Sequence, residues 1–324
     1  MESKLSKVIK GKIQKPLRAT FYGPEGCGKS SLAADSEVPI FIDIDGGSAQ
    51  LETDRYPFGE STQPKTYPEV LDALNDLLLN EHSYKTVILD TVDKLEGLIW
   101  RHIIDRDLKP VKGEVHTIES FGYGKGYTTA LDEWRKLIVI LDKLWDKGMN
   151  IILISHASIK MFNNPEGDNY DRYSLRIHEK AAGLLREWSD ITGFMCFDEF
   201  AFGGDKAKNI KSKGTGTKRR LIKFQRTATY DAKTRLPLTE EVEVAADHPW
   251  APLAKAIEES KGHTIASLNV SIGWELARIS DHELTAKVEP YADKATKDNN
   301  KAALFRLLNQ LKAKPSKADT EATS

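Results

Sequence analysis

Short apolar runs alternate along this chain with longer stretches in which apolar residues return every third or fourth position, the pattern of strands alternating with helices. The runs at 17–22, Pro39–Asp45, Thr86–Thr91, Asn150–Ser155 and Ile191–Phe197 predict strands. Val87-Ile88-Leu89 and Ile151-Ile152-Leu153-Ile154 are apolar on both faces, as central strands of a parallel sheet must be when helices cover both sides. Helical spacing marks 29–35, 67–79 and 128–147, the last with a wide stripe through Leu131, Trp134, Leu137, Ile138, Leu141, Leu144 and Trp145. The fold class that follows is α/β, with a mainly parallel central sheet.

Beyond residue 197 the pattern changes. A Gly/Lys-rich loop at 203–218 lies next to two alternating stretches, Leu221–Tyr230 and Leu238–Val244, which predict an antiparallel hairpin at the sheet edge. His248–Lys261 predicts a closing helix, and 263–313 a small separate helical section whose clearest helix is Ala302–Leu311. The expected division is a basic flexible arm at 1–15, a core at 16–262, the helical section, and a polar disordered tail at 314–324.

Across 324 residues the net charge is −1, so any polyanion site has to be a local patch. The two cysteines, Cys27 and Cys196, predict no disulfide framework and a reducing compartment. No apolar run reaches membrane-spanning length, and the expected location is the cytoplasm, with no membrane partner.

The chemistry is concentrated in Gly23-Pro24-Glu25-Gly26-Cys27-Gly28-Lys29-Ser30-Ser31, a phosphate-binding loop set between a predicted strand and a predicted helix. Its glycines let backbone N–H groups close round phosphates, Lys29 reaches the β/γ oxygens, and the Ser30 hydroxyl ligates Mg²⁺. The predicted ligands are therefore ATP and Mg²⁺. Asp90 ends an apolar strand in the manner of a Walker B element and joins Ser30 as a metal partner. Period-two alternation puts Asp43 and Asp45 on one face of their strand, with Asp45 nearest the tip. Asp45 either orients the attacking water or caps the turn at Gly46-Gly47. His156, at the end of another strand, is either a γ-phosphate sensor or a local hydrogen-bonding group.

Three segments could meet nucleic acid. Phe121, Tyr123, Lys125 and Tyr127 alternate with glycines and would either stack on unpaired bases or pack as a turn against the following helix. The segment Ser158–Arg172 mixes Lys160, Phe162, Tyr170 and Arg172 with Glu166, Asp168 and Asp171. Lys206, Lys208, Lys211, Lys213, Lys218, Arg219, Arg220, Lys223 and Arg226 form a one-sided basic cluster suited to a phosphate backbone.

The order of phosphate loop, tip carboxylate, Walker B strand and polar-tipped strand resembles a RecA-like ATPase core. The chain is most similar there to phage nucleotide-binding and single-strand-annealing ATPases. That likeness rests on Phe41-Ile42-Asp43-Ile44-Asp45-Gly46-Gly47, Phe121-Gly122-Tyr123-Gly124-Lys125-Gly126-Tyr127 and Lys233-Thr234-Arg235-Leu236-Pro237, and covers roughly 16–245. The resemblance implies that Asp45 takes the place of the catalytic glutamate, one methylene shorter. It also implies that Lys233 and Arg235 act as a finger in a neighbour's site, and that the segment after His156 contacts DNA. The implied partners are single-stranded DNA, further copies of the chain in a ring or filament, and phage single-strand-binding or replication proteins. The implied activity is DNA-stimulated ATP hydrolysis in recombination, annealing or replication. A helicase-type motor or loader and a small-molecule kinase are the alternatives.

Overall fold

The computed structural model describes residue 13, residues 15–109, 115–202, 213–261 and 282–297, and single positions between 269 and 311. Nearly all of the predicted basic arm, Lys206, Lys208, Lys211 and the predicted tail lie outside the described residues.

The elements run β1 (Arg18–Gly23), α1 (Lys29–Ala34), β2 (Pro39–Asp43), β3 (Asp54–Arg55), α2 (Tyr67–Leu79), β4 (Thr86–Asp90) and α3 (Val92–Asp107). A 3₁₀ turn at Ile118–Phe121 leads into α4 (Lys125–Asp146), β5 (Asn150–Phe162), β6 (Tyr170–Leu175), α5 (Glu179–Trp188) and β7 (Ile191–Phe202). Then follow β8 (Lys213–Lys223), β9 (Lys233–Thr234), β10 (Glu241–Val244) and α6 (Ala251–Lys261), and later in the chain α7 (His282–Lys297). The chain divides into two compact units, Met1–Ile257 and Glu258–Ser324.

In the first unit the strand order is β10-β8-β7-β1-β5-β4-β2-β3, with β6 added to β5 and β9 to β7. Every pairing from β3 across to β7 is parallel, whereas β7–β8, β8–β10, β5–β6 and β7–β9 are antiparallel. This is the predicted α/β architecture, a mainly parallel sheet with an antiparallel edge. Period-two alternation sorts β1 between two cores. Tyr22 packs with Leu74, Leu95, Trp134 and Leu185 from α2–α5, while Ala19 and Phe21 pack with Leu32 of α1 and Leu253 of α6. Central strands apolar on both faces follow from helices on both sides. In the second unit Ile272, Leu276, Val288, Ala292, Leu304, Leu307 and Leu311 form a core of their own, while most of the predicted helix Ala302–Leu311 lies outside the described residues.

Three predicted segments differ. β5 does not stop at Ser155 but runs to Phe162 and returns as β6, so the supposed loop after His156 is an antiparallel hairpin with Lys160 opposite Arg172. Of the Gly/Lys segment, 203–212 lie outside the described residues and 213–218 are strand, since β7 continues to Phe202 and β8 begins at Lys213. Polar and charged alternation in these arms hid them, because strands that leave the core need no apolar face. The predicted strand Pro39–Asp45 ends two residues early, at Asp43.

Candidate nucleotide site

Parallel pairing lines up the carboxyl ends of β2, β4, β5 and β1. Asp43 stands level with Asp90, Asp90 with Ile154, and Gly23 with His156. Ligands of open α/β sheets bind outside such an edge, and the phosphate loop leaves β1 there. Gly23 is required by contact: a Cβ on it would lie 2.0 Å from the Met195 carbonyl oxygen of β7. Gly28, the N-cap of α1, has φ 89°, in the left-handed region open to glycine.

Lys29 is buried, and its Nζ donates to the carbonyls of Gly23 (3.1 Å) and Pro24 (2.8 Å), folding the ammonium back over the loop. Ser30 Oγ donates to Asp90 Oδ2 at 2.6 Å, tying α1 to the tip of β4 with β5 lying between β4 and β1. Burial pushes the Asp90 carboxyl up to about 6, with the neighbouring Asp43 and Asp45 adding to the shift and the Ser30 hydrogen bond opposing it. A hydroxyl and a buried carboxylate in contact are a fitting pair of hard oxygen donors for Mg²⁺, which takes few protein ligands and completes its shell with water and phosphate oxygens. Bound there, the metal would neutralise charge developing on the β/γ oxygens.

Asp43, not Asp45, caps the turn. Its Oδ1 accepts from Gly46 N at 2.7 Å and its Oδ2 from the Ser48 hydroxyl and amide, while Ser48 Oγ accepts from Arg55 Nε at 2.7 Å. The chain bends out of β2 because the amides of Ile44 and Asp45 both donate to the Asp90 carbonyl. The expectation that Asp43 and Asp45 share a strand face is thereby corrected, since alternation ends with the strand. Asp45 is left at the mouth of the site, partly exposed, with its Oδ1 3.4 Å from Lys94 Nζ of α3.

His156 is held from two sides by Asp93 of α3. Asp93 Oδ1 accepts the His156 backbone N–H at 3.0 Å, and Oδ2 lies 2.9 Å from Nδ1. Burial alone would raise the Asp93 carboxyl, but the His156 hydrogen bonds hold it below the usual range. A carboxylate can only accept, so Nδ1 carries the proton of this bond. Asp93 and Lys94 were missed in the sequence, although both sit in the turn that follows the Walker B strand.

The remaining candidates scatter. Lys233 Nζ donates to the carbonyls of Arg186 (2.8 Å), Glu187 and Ser189 (3.1 Å each), and Arg235 pairs with Asp190 at 3.1 Å and donates to Glu187 O. Both cations close the C-terminal end of α5, where carbonyls lack helical partners. Both also lie far from the chain's own phosphate loop. Arg235 N donates to Asp190 O, and Asp190 N to the carbonyl of Arg18 at the start of β1, five residues and about 17 Å along the strand from Gly23.

Of the aromatics, Phe121 packs against the core and Tyr127 stacks on His178 at 4.2 Å while donating to Glu119, so the packing alternative holds for these two. Tyr123 is fully exposed at φ 50°, and Lys125 is exposed at the start of α4. Lys160 is half-buried and donates to Ile177 O at 2.6 Å. Lys218 is exposed, whereas Arg219 pairs with Glu243 at 2.9 Å. Arg220 turns to the phosphate loop instead: a Cβ on Gly28 would come within 2.5 Å of its guanidinium.

Residues 15–236, more than half of the chain, match the AAA domain family. The chain belongs to that family. It therefore carries an AAA-type P-loop ATPase domain, the nucleotide-hydrolysing enzyme that the loop and Asp90 imply. No curated protein matches it. Among solved structures it is similar to the flagellar accessory protein FlaH from Methanocaldococcus jannaschii, with 12% identity and a TM-score of 0.29 over 76% of this chain and 93% of that one. Among the described residues no helix is long and apolar enough to cross a membrane.

Proposed function

We propose that the protein hydrolyses Mg·ATP at the edge formed by β1, β4 and β2, and couples that cycle to single-stranded DNA in recombination, annealing or replication of the phage type. The observation that carries the catalytic half is the 2.6 Å bond from Ser30 to Asp90, which joins the loop to the carboxylate strand. In this reading Lys29 leaves the Gly23 and Pro24 carbonyls for the β/γ oxygens, and Ser30 and Asp90 hold Mg²⁺. Asp45, kept at the mouth by Lys94, orients the attacking water. His156, level with Gly23 and anchored on Asp93, transmits γ-phosphate occupancy into the β5–β6 hairpin.

The DNA half is supported by exposed Tyr123, Lys125 and Lys218, and by the basic sequence of the β7–β8 hairpin. A loader or motor working through a protein partner is favoured by one feature, the exposed Ile159 and Met161 on one face of β5. Turnover measured with and without a mixed-sequence single strand tests the DNA reading. Several-fold stimulation, with binding that weakens steeply as salt rises, is expected; a rate indifferent to DNA at every protein concentration removes DNA from the account.

A further inference from the structure

Beside the phosphate loop, the strands β8 and β10 and the start of α6 border an open groove of about 810 Å³. Its walls include Thr217, Arg220, Val242, Glu243, Ala246 and Pro252. One residue belongs to both places. Arg220 lines the groove, its Nη2 donates to the Ala245 carbonyl at 3.2 Å, and its Nη1 is the atom that a Cβ on Gly28 would strike. Three features of β8 aim it there. Arg220 shares a face with Ile222 and Phe224, which pack in the α1 and α6 core. The β7–β8 register shifts just beyond the Phe197–Arg220 pair, as at a bulge that redirects a side chain. Lys218, two residues earlier, has φ 60°.

We propose that this groove is the nucleoside subsite and that Arg220 is the residue joining it to the triphosphate. The inference rests on the nucleotide-binding reading above. A triphosphate seated on the loop has its γ end toward Asp90 and Asp45, so its nucleoside must leave on the other side of β1, toward β7 and β8. Arg220 stands on that path. Its planar guanidinium can meet an anionic oxygen with its edge and stack on a base with its face. Pro252 and Ala246 offer apolar surface to the ring, beside Val242 and Val244 on the Arg220 face of the strands. This removes Arg220 from the DNA-facing set predicted from the charge run and gives it to the nucleotide.

Calorimetric titration with Mg·ATP and with Mg·tripolyphosphate, which has the phosphates but no nucleoside, tests the assignment in the full-length chain. Ala246 is exposed, so Ala246→Trp can fill the groove without disturbing a core. It is expected to weaken ATP about ten-fold or more, the scale of a lost base-stacking contact, while tripolyphosphate affinity changes by less than about two-fold. Arg220→Met is expected to lower the same ATP-to-tripolyphosphate ratio. An unchanged ratio in both variants overturns the subsite. If the wild-type chain binds neither ligand, the phosphate-loop reading itself fails and the subsite with it.

Discussion

At the scale of single residues, two aspartates two positions apart divide structure from chemistry. Asp43 is buried and accepts from Gly46 and Ser48, so it builds the bend; Asp45 is partly exposed and faces the site mouth. Asp45→Asn is therefore expected to bind ATP as the wild type does while turning over about 10²-fold more slowly, the contribution typical of a positioned base. Asp43→Ala should instead lower stability by about 1–3 kcal/mol through unsatisfied buried donors. Steady-state turnover beside urea melts separates the two, and a normal rate in Asp45→Asn removes Asp45 from catalysis.

Glu96 of α3 gives a pH signature. It accepts twice from the His178 amide, and burial raises its carboxyl to about 7, with Lys160 and the His178 amide pulling the other way and Asp93 adding to the rise. A folded-state value above the unfolded value of about 4.5 means the native state holds the proton longer, so folding loses stability as pH climbs from about 4.5 to 7 and loses no more above that. Glu96→Gln keeps an oxygen for His178 and has no such loss. The variant should gain on the wild type by about 3 kcal/mol between pH 4.5 and 8 in urea melts; a gap that stays constant with pH would show that Glu96 ionises normally. Lys29, Ser30 and Asp90 were legible in the sequence because a loop motif and an apolar strand end mark them. Asp93, Lys94 and Arg220 were not, since nothing in their spacing says which groups the turns bring near them.

Among the elements, α5 and its capping cations carry the clearest lesson. Lys-Thr-Arg in the sequence reads as a finger or as two solvated charges in a hairpin turn, and only the fold shows that it caps α5 at the end of the sheet away from the loop. Lys233→Met is expected to cost about 1–3 kcal/mol, the range for a charged donor to backbone carbonyls, and to leave ATP turnover near the wild-type rate below the melting range. A turnover loss of about 10³-fold or more in a folded variant, the scale of an arginine finger, would instead support the finger. The central strands were legible because burial on both faces forces continuous apolar runs. The β5–β6 and β7–β8 arms were not, because beyond the helices only hydrogen bonding, and no apolar pattern, holds a strand in place.

For the whole molecule, the order of strands does what the loop alone cannot. It sets β5 between β1 and β4, brings Gly23, Asp90 and His156 to one edge, and sends Lys233 and Arg235 to the other. The α/β class and the parallel centre were readable from periodicity, whereas the nucleoside side of the site depends on an antiparallel edge whose bulge has no sequence signature. The central claim is that this edge binds and hydrolyses Mg·ATP. Equilibrium Mg·ATP binding and turnover of Lys29→Ala, measured beside the wild type in protein shown by its melt to be folded, test it most directly. Loss of both tight binding and hydrolysis is the predicted result, because the β/γ oxygens lose their cation; unchanged affinity and rate in the folded variant would contradict the account.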